Sequence, residues 1–175
     1  WPSVARSPLA NSHAFVEIAA LLKCSLDSLE VPCDLQVNQL APDRINILLG
    51  ANLAACTPEL CKYRYIPYQL EQIVPDGTWF TENMANLLRH AYQVWDYSTH
   101  NIAFLAQQGI EAKHVGVGYH PKLERIPHAA EKPVDVLFYG SVNERRRRVL
   151  QKLADDPDIV LKVLFGAYGQ ERDAH

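Results

Sequence analysis

Residues 135–150 read Asp-Val-Leu-Phe-Tyr-Gly-Ser-Val-Asn-Glu-Arg-Arg-Arg-Arg-Val-Leu. An apolar run meets a Gly140–Ser141 turn, and the turn opens a helix whose first turns carry Arg145 to Arg148. The order predicts a buried strand over 135–139, a tight turn and a helix over 144–154. α/β proteins hold anions in this way, at the carboxyl edge of a parallel sheet. A helix N-terminus carries partial positive charge, so cations placed there are locally unfavourable. Four arginines at that end point to an anionic partner. The alternative is a solvated basic face tempered by Glu144.

Outward from this stretch, strands and helices alternate. A strand over 159–165 follows, ending at Gly166, and Pro157 marks the break before it. On the amino side, residues 121–133 contain three prolines and no clear period, so they read as a linker. Before the linker, apolar spacing predicts a helix over 13–30, capped by Ser12 and carrying a stripe of Phe15, Ile18, Leu22, Leu26 and Leu29. Val31 to Val37 could form a strand. Ile45 to Gly50 is a short apolar strand, and Tyr65 to Tyr68 another, with Pro67 making it an imperfect or edge strand. A helix is expected over 81–91, with Met84, Leu87, Leu88 and Ala91 on one side. A strand is expected over 93–97, then a helix over 101–108 capped by Ser98 or Thr99 and stopped at Gly109, then a strand over 115–118. Repeated βα units predict an α/β fold, a Rossmann-like parallel sheet covered by helices. Residues 1–120 would form one nearly complete domain and 134–175 the opening βαβ unit of a second that is only begun. About 40 residues hold too little core to stand alone, so this unit must pack on the first or belong to a domain that continues. From the look of its two ends, the chain is expected to be a piece of a longer polypeptide.

The 175 residues are 48% hydrophobic and 21% charged, with a net charge of −3. Mild acidity argues against a general nucleic-acid binder, which shows a strongly basic footprint. No apolar run approaches the roughly 20 residues that cross a bilayer, so no transmembrane segment is expected. Trp1 to Arg6 lacks the charged-then-apolar design of a secretory signal. Cys24, Cys33, Cys56 and Cys61 are too few and too scattered for a disulfide framework and are expected to be buried free thiols in a reducing, cytoplasmic setting. The seven histidines show no ligand spacing, and Asp156-Pro-Asp158 reads as a turn, so no metal site is expected.

Several phrases in this order carry a resemblance: Tyr68-Gln-Leu-Glu-Gln72, Val94-Trp-Asp-Tyr-Ser98 followed by Asn101, Gly118-Tyr-His-Pro121, residues 135–141 with Arg145 and Arg146, and Tyr168-Gly-Gln-Glu-Arg-Asp173. Together they resemble bacterial glycosyltransferases of the two-Rossmann GT-B class, of the family-1-like or CgeB-like kind. The resemblance implies transfer of a sugar from a nucleotide-diphosphate donor to an acceptor hydroxyl, in a cleft between an acceptor-side domain (1–120) and a nucleotide-sugar domain begun at 134. The nucleotide sugar would be the donor substrate, with no cofactor and no metal. The acceptor and the oligomeric state are not legible. The class normally continues through most of a further domain, so these residues alone are expected to be inactive. A non-catalytic Rossmann-like module that binds a nucleotide or a protein is the alternative.

Glycosyl transfer needs a cradle for the diphosphate, a partner for its developing charge and often a base for the acceptor hydroxyl. Gly140 and Ser141 are the candidate cradle, since glycine lets the main chain approach closely. Arg145 and Arg146 are the candidate charge partners, because a guanidinium pairs bidentately with phosphate. Successive helical residues point about 100° apart, so not all four arginines can converge. His13, at a helix start that would keep an imidazole neutral, and Glu71 are the candidate bases; each also fits a solvent-exposed polar residue. Asp96, Tyr97, Ser98, Tyr119, Tyr168 and Glu171 are candidates to line the cleft. Asp96, in an apolar strand, is either buried and hydrogen-bonded or aimed into the cleft. Trp79, Trp95 and Tyr119 could stack on a sugar or base, but aromatics at strand ends more commonly belong to the core.

Overall fold

The computed structural model describes residues 15–37, 39–53, 57–74, 77, 79–126 and 130–165. The chain divides into two compact units, Trp1–Leu123 and Glu124–His175.

The first unit is a four-stranded sheet flanked by helices. Its strands β1 (Ile45–Leu49), β2 (Arg64–Gln69), β3 (Trp95–Asp96) and β4 (Lys113–His114) stand in sequence order, and every pair is parallel. Between them run α2 (Glu82–Arg89) and α3 (Thr99–Gln107), while α1 (Val16–Ser28) precedes β1. Right-handed crossovers stepping one way across a sheet deliver their helices to a single face. The core reflects this: Leu48, Tyr65, Met84, Leu87, Leu88 and Leu105 form one cluster from β1, β2, α2 and α3. The Tyr65 hydroxyl donates to Leu87 O at 2.8 Å, so the phenol is buried with its polar tip satisfied. At the sheet's amino edge the buried Asn46 side chain pairs with both backbone groups of Ala41 (2.8 and 2.9 Å) and donates to Arg64 O at 3.1 Å.

Pro67 lies in an interior strand, so of the imperfect or edge strand expected the edge is excluded, because β2 runs between β1 and β3. Backbone geometry explains how. Tyr92 N donates to Tyr65 O and Tyr97 N donates to Gln69 O, so residues 65, 67 and 69 turn their polar groups toward β3. Pairing with β3 begins only at Tyr68↔Trp95. The donor that proline lacks therefore falls below the short ladder, and the sheet loses no bond there.

Four other expectations shift. α1 begins at Val16 after Phe15, with no side-chain cap, and Ser12 lies outside the described residues. It ends where Val31 N donates to Leu26 O and Glu30 N to Asp27 O, with Glu30 at φ 56. This is a Schellman closure, so Leu29 falls past the last turn and is exposed rather than on the stripe. Residues 31–37 form no strand, and Val31, Leu35 and Val37 are exposed. The last strand of the unit is Lys113–His114, not 115–118: Lys113 N donates to Val94 O and Val115 N to Asp96 O, so register with β3 places the ladder ahead of the glycines. Finally, Cys24 and Cys33 are half-buried free thiols and Cys61 is an exposed one; Cys56 lies outside the described residues.

The second unit pairs β5 (Val136–Tyr139) in parallel with β6 (Leu161–Leu164) around α4 (Glu144–Ala154). β5 is not the buried strand expected. Leu137 and Tyr139 are exposed while Val136 and Phe138 are half-buried, an alternation that marks one covered face. Among the described residues, no helix is long and apolar enough to cross a membrane.

Candidate functional site

Each unit carries polar groups at the carboxyl edge of its sheet, where open parallel sheets bind ligands. In the first unit the end of β3 runs straight into α3. Ser98 is the N-cap: its hydroxyl accepts from Asn101 N at 3.4 Å. Asp96, just before it, has no exposed surface. Its carboxylate accepts from Ser98 N at 2.8 Å and from the Asn101 side-chain amide at 3.1 and 3.2 Å. Burial pushes the Asp96 carboxyl up to about 6, against the opposing pull of the Ser98 and Asn101 donors and the nearby His114.

Asn101 is also fully buried. Its amide donates to Glu71 O at 2.8 Å, and its carbonyl accepts from Ile73 N at 3.0 Å. Gln69, likewise buried, donates to Glu71 O at 3.4 Å. The main chain of Glu71 is thus held in this cluster, while its side chain is only half-buried. Tyr97 is half-buried too. Burial raises its phenol, and the charges of Asp96 and Glu71 raise it further. The His114 Nε2 meets Tyr97 O at 3.1 Å. Three strand ends therefore bring Glu71, Tyr97 and His114 to one edge above a buried polar floor.

Tyr119 is 70% exposed, and Trp79 is exposed as well, so neither belongs to the core. Trp95 is half-buried, edge-on to Tyr68 at 6.1 Å. Next to Tyr119, the Lys122 N–H donates to Nδ1 of His120 at 3.2 Å, which leaves Nε2 as the protonated nitrogen facing Ser28 Oγ at 3.1 Å. His13, Tyr168 and Glu171 lie outside the described residues.

In the second unit the turn after β5 has its own construction. Gly140 sits at φ 126, a region that L side chains rarely adopt, with open space where a Cβ would stand. Its N–H donates to Leu164 O at 3.3 Å, so the ladder engages it and the N–H groups that follow are the ones left for a ligand. The Asn143 side chain caps α4 by accepting from Arg146 N at 2.9 Å, and the Arg146 guanidinium folds back to Ser141 O at 2.7 Å. Arg147 and Arg148 reach Glu144 at 3.8 and 4.0 Å. Arg145 is exposed and has no partner among the described residues.

A cavity of about 430 Å³ opens at the opposite, amino edge of the first sheet, between Arg89, Tyr92, Gln93, Glu111 and Lys113. No buried polar side chain belongs to its lining, and helix C-termini converge on that edge. The carboxyl edge is the better candidate, because its polar groups are placed by strand ends and held by buried partners. Among the described residues, no group of three His, Cys, Asp or Glu side chains could hold a metal ion.

No family model matches the chain, and no solved structure matches it. An uncharacterized protein of Acanthamoeba polyphaga mimivirus is 30% identical over 94 residues, covering 50% of this chain and 29% of that protein. The match thus spans less than a third of the viral protein's length.

Sequence reasoning missed Asn101 and Gln69 as members of the polar floor. The signal existed for Asn101: it stands four residues before buried Leu105 on α3, on the inward stripe. A polar side chain on such a stripe needs a buried partner, and Asp96 is the nearest carboxylate.

Proposed function

We propose that the protein is a nucleotide-sugar-dependent glycosyltransferase of the GT-B class, acting in the cytoplasm. The observation that carries this reading is the β5–α4 turn. A glycine at φ 126, a capped helix start and the uncompensated Arg145 together suit a diphosphate. In this reading the donor diphosphate lies on the main chain of Ser141 to Asn143, which is exposed except at half-buried Val142. Arg145 meets the charge that develops on the leaving group, and Arg146 holds the turn through Ser141 O while its remaining N–H groups face the phosphates. No metal is required, since guanidinium groups and helix N–H donors supply the electrostatic stabilisation. For the acceptor hydroxyl, Glu71 and His13 remain the candidate bases. Asp96, buried and held by Ser98 N and the Asn101 amide, supports the edge rather than touching substrate.

Calorimetric titration with nucleoside diphosphates tests the reading. Replacing Arg145 and Arg146 by Ala should weaken binding at least about tenfold, the loss of a charge-assisted bond or more. Unchanged affinity would remove the phosphate role from this turn.

One observation favours a second reading, a non-catalytic Rossmann-like module. The buried polar groups of the first unit spend their hydrogen bonds on each other. Binding of nucleotide sugars by the whole polypeptide to which these residues belong, without transfer or hydrolysis of any of them, would select that reading.

A further inference from the structure

We propose that Asn101 is a positioning residue for Glu71: its carboxamide, oriented by Asp96, docks on the segment 71–73 and sets where the Glu71 side chain stands at the carboxyl edge of the sheet. The inference rests for its catalytic meaning on Glu71 being the acceptor base, but its geometry is independent of that reading.

The docking has the pattern of a peptide group. In an extended chain the C=O of one residue and the N–H two residues later point to the same side. Asn101 meets that pair with the complementary groups, Nδ2 on Glu71 O at 2.8 Å and Oδ1 on Ile73 N at 3.0 Å. A side chain from α3 thus acts as one rung of a ladder where the sheet has ended, since β2 stops at Gln69. The amide orientation is not arbitrary. Ile73 N needs an acceptor, whereas Glu71 O and the Asp96 carboxylate need donors, so only one assignment of the Asn101 oxygen and nitrogen satisfies all three. Asp96 fixes that assignment from below and Ser98 Oγ fixes the Asn101 main chain. The bonds of Asn101 to Ile73 and Asp96 lie among buried groups, where an unmet donor or acceptor is costly.

The consequence falls on Glu71. Its half-buried carboxylate has no hydrogen-bond or ion-pair partner among the described residues. Its placement therefore comes from its main chain, which Asn101 and Gln69 hold through the same carbonyl. The placement has a local readout, because the Glu71 charge acts on the Tyr97 phenol, as does that of Asp96. The charged groups that bear on this phenol are therefore Asp96 from β3 and Glu71 from the β2 edge, while the His114 ring of β4 meets the Tyr97 main-chain carbonyl.

The test is a double-mutant cycle on the ionisation of Tyr97, followed by resonance-assigned NMR titration in the full chain. Glu71→Gln should lower the Tyr97 midpoint by removing a negative charge. Asn101→Ser, which keeps one hydrogen-bonding group for folding, should lower it in the wild-type background and leave it unchanged in the Glu71→Gln background. Equal shifts in both backgrounds would mean that Asn101 acts through Asp96 alone, and the proposal falls. A second arm needs no variant. The Ile73 amide, outside any strand or helix, should exchange with solvent as slowly as the amides of β2; exchange at the rate of an exposed loop overturns the docking. Neither arm uses a substrate, so unchanged nucleoside diphosphate affinity on replacing Arg145 and Arg146 would overturn the glycosyltransferase reading and leave this one standing.

Discussion

The turn from β3 into α3 and the turn from β5 into α4 share a plan: a strand end, a polar cap and a helix. Ser98 caps the first and Asn143 the second, each through the N–H three residues on. Their polar groups go opposite ways. At the β3 turn, Asp96 and Asn101 turn inward, lose all exposure and bind each other. After β5, Arg145 to Arg148 stay exposed, and the bonds they make are to a loop carbonyl and to Glu144. A polar residue beside a deep core is forced to find partners within the protein. The same kind of residue over a two-stranded sheet keeps its capacity for something else. The first turn is thus expected to govern stability and the second ligand binding.

The largest effect should come from Asn101→Ala. It leaves the Asp96 carboxylate, Glu71 O and Ile73 N each short of a partner. Unmet buried groups cost about 1–3 kcal/mol each, more for a charged one, so the total should reach about 4 kcal/mol. Urea unfolding measures it, and a loss below about 1 kcal/mol would mean that water reaches the cluster.

Next is the pH dependence carried by Asp96. Its carboxyl rises from 3.8 to about 6 on folding, so the folded protein holds this proton more tightly than the unfolded chain. The stability that this proton provides is fully present below about pH 4 and is lost as pH rises through about 6. Relative to Asp96→Asn, the wild type should lose on the order of 3 kcal/mol between pH 4 and 7. A constant difference between the two proteins across that range would show that Asp96 titrates as an ordinary carboxyl.

Smaller and more nearly equal effects are expected at the caps, where the plan is shared. Ser98→Ala and Asn143→Ala should each cost about 1 kcal/mol of stability. Gly140→Ala, forced toward a backbone conformation that alanine avoids, should cost at least about 1 kcal/mol. Thermal melts compare all three.

The smallest stability effect belongs to Arg145→Ala, at less than about 0.5 kcal/mol. This variant should still weaken nucleoside diphosphate binding. A stability loss as large as that of Asn101→Ala would erase the contrast between the two turns.

Much of the scaffold was legible locally. The 3.6-residue pattern of Met84, Leu87, Leu88 and Ala91 announced α2, and the structure adds the cap, the Thr81 hydroxyl accepting from Met84 N at 3.2 Å. Ser98 and Gly109 bracketed α3, and the Gly140 turn separated β5 from α4. These signals are short-range, so a linear reading recovers them. Less legible were features that depend on a neighbour. Pro67 argued for an edge because proline lacks a donor, yet whether a donor is needed depends on where β3 begins. Val115 to Gly118 looked like a strand, but the ladder is set by which backbone groups meet β3. Leu29 fitted the stripe of α1 until the chain reversed at Glu30.

By itself, then, the sequence determined a series of βα units, their turns and caps, and an arginine-rich helix start after a glycine. Those follow from propensity, periodicity and local hydrogen bonding, each acting over a few residues. Only the tertiary structure decided that Asp96 is buried rather than presented, that Asn101 ties the end of β2 to the end of β3, and that Arg145 is left uncompensated while Arg147 and Arg148 lean on Glu144. Burial and the pairing of distant polar groups are properties of the packed chain: Asn101 and Glu71 stand 30 residues apart in sequence and 2.8 Å apart in the fold.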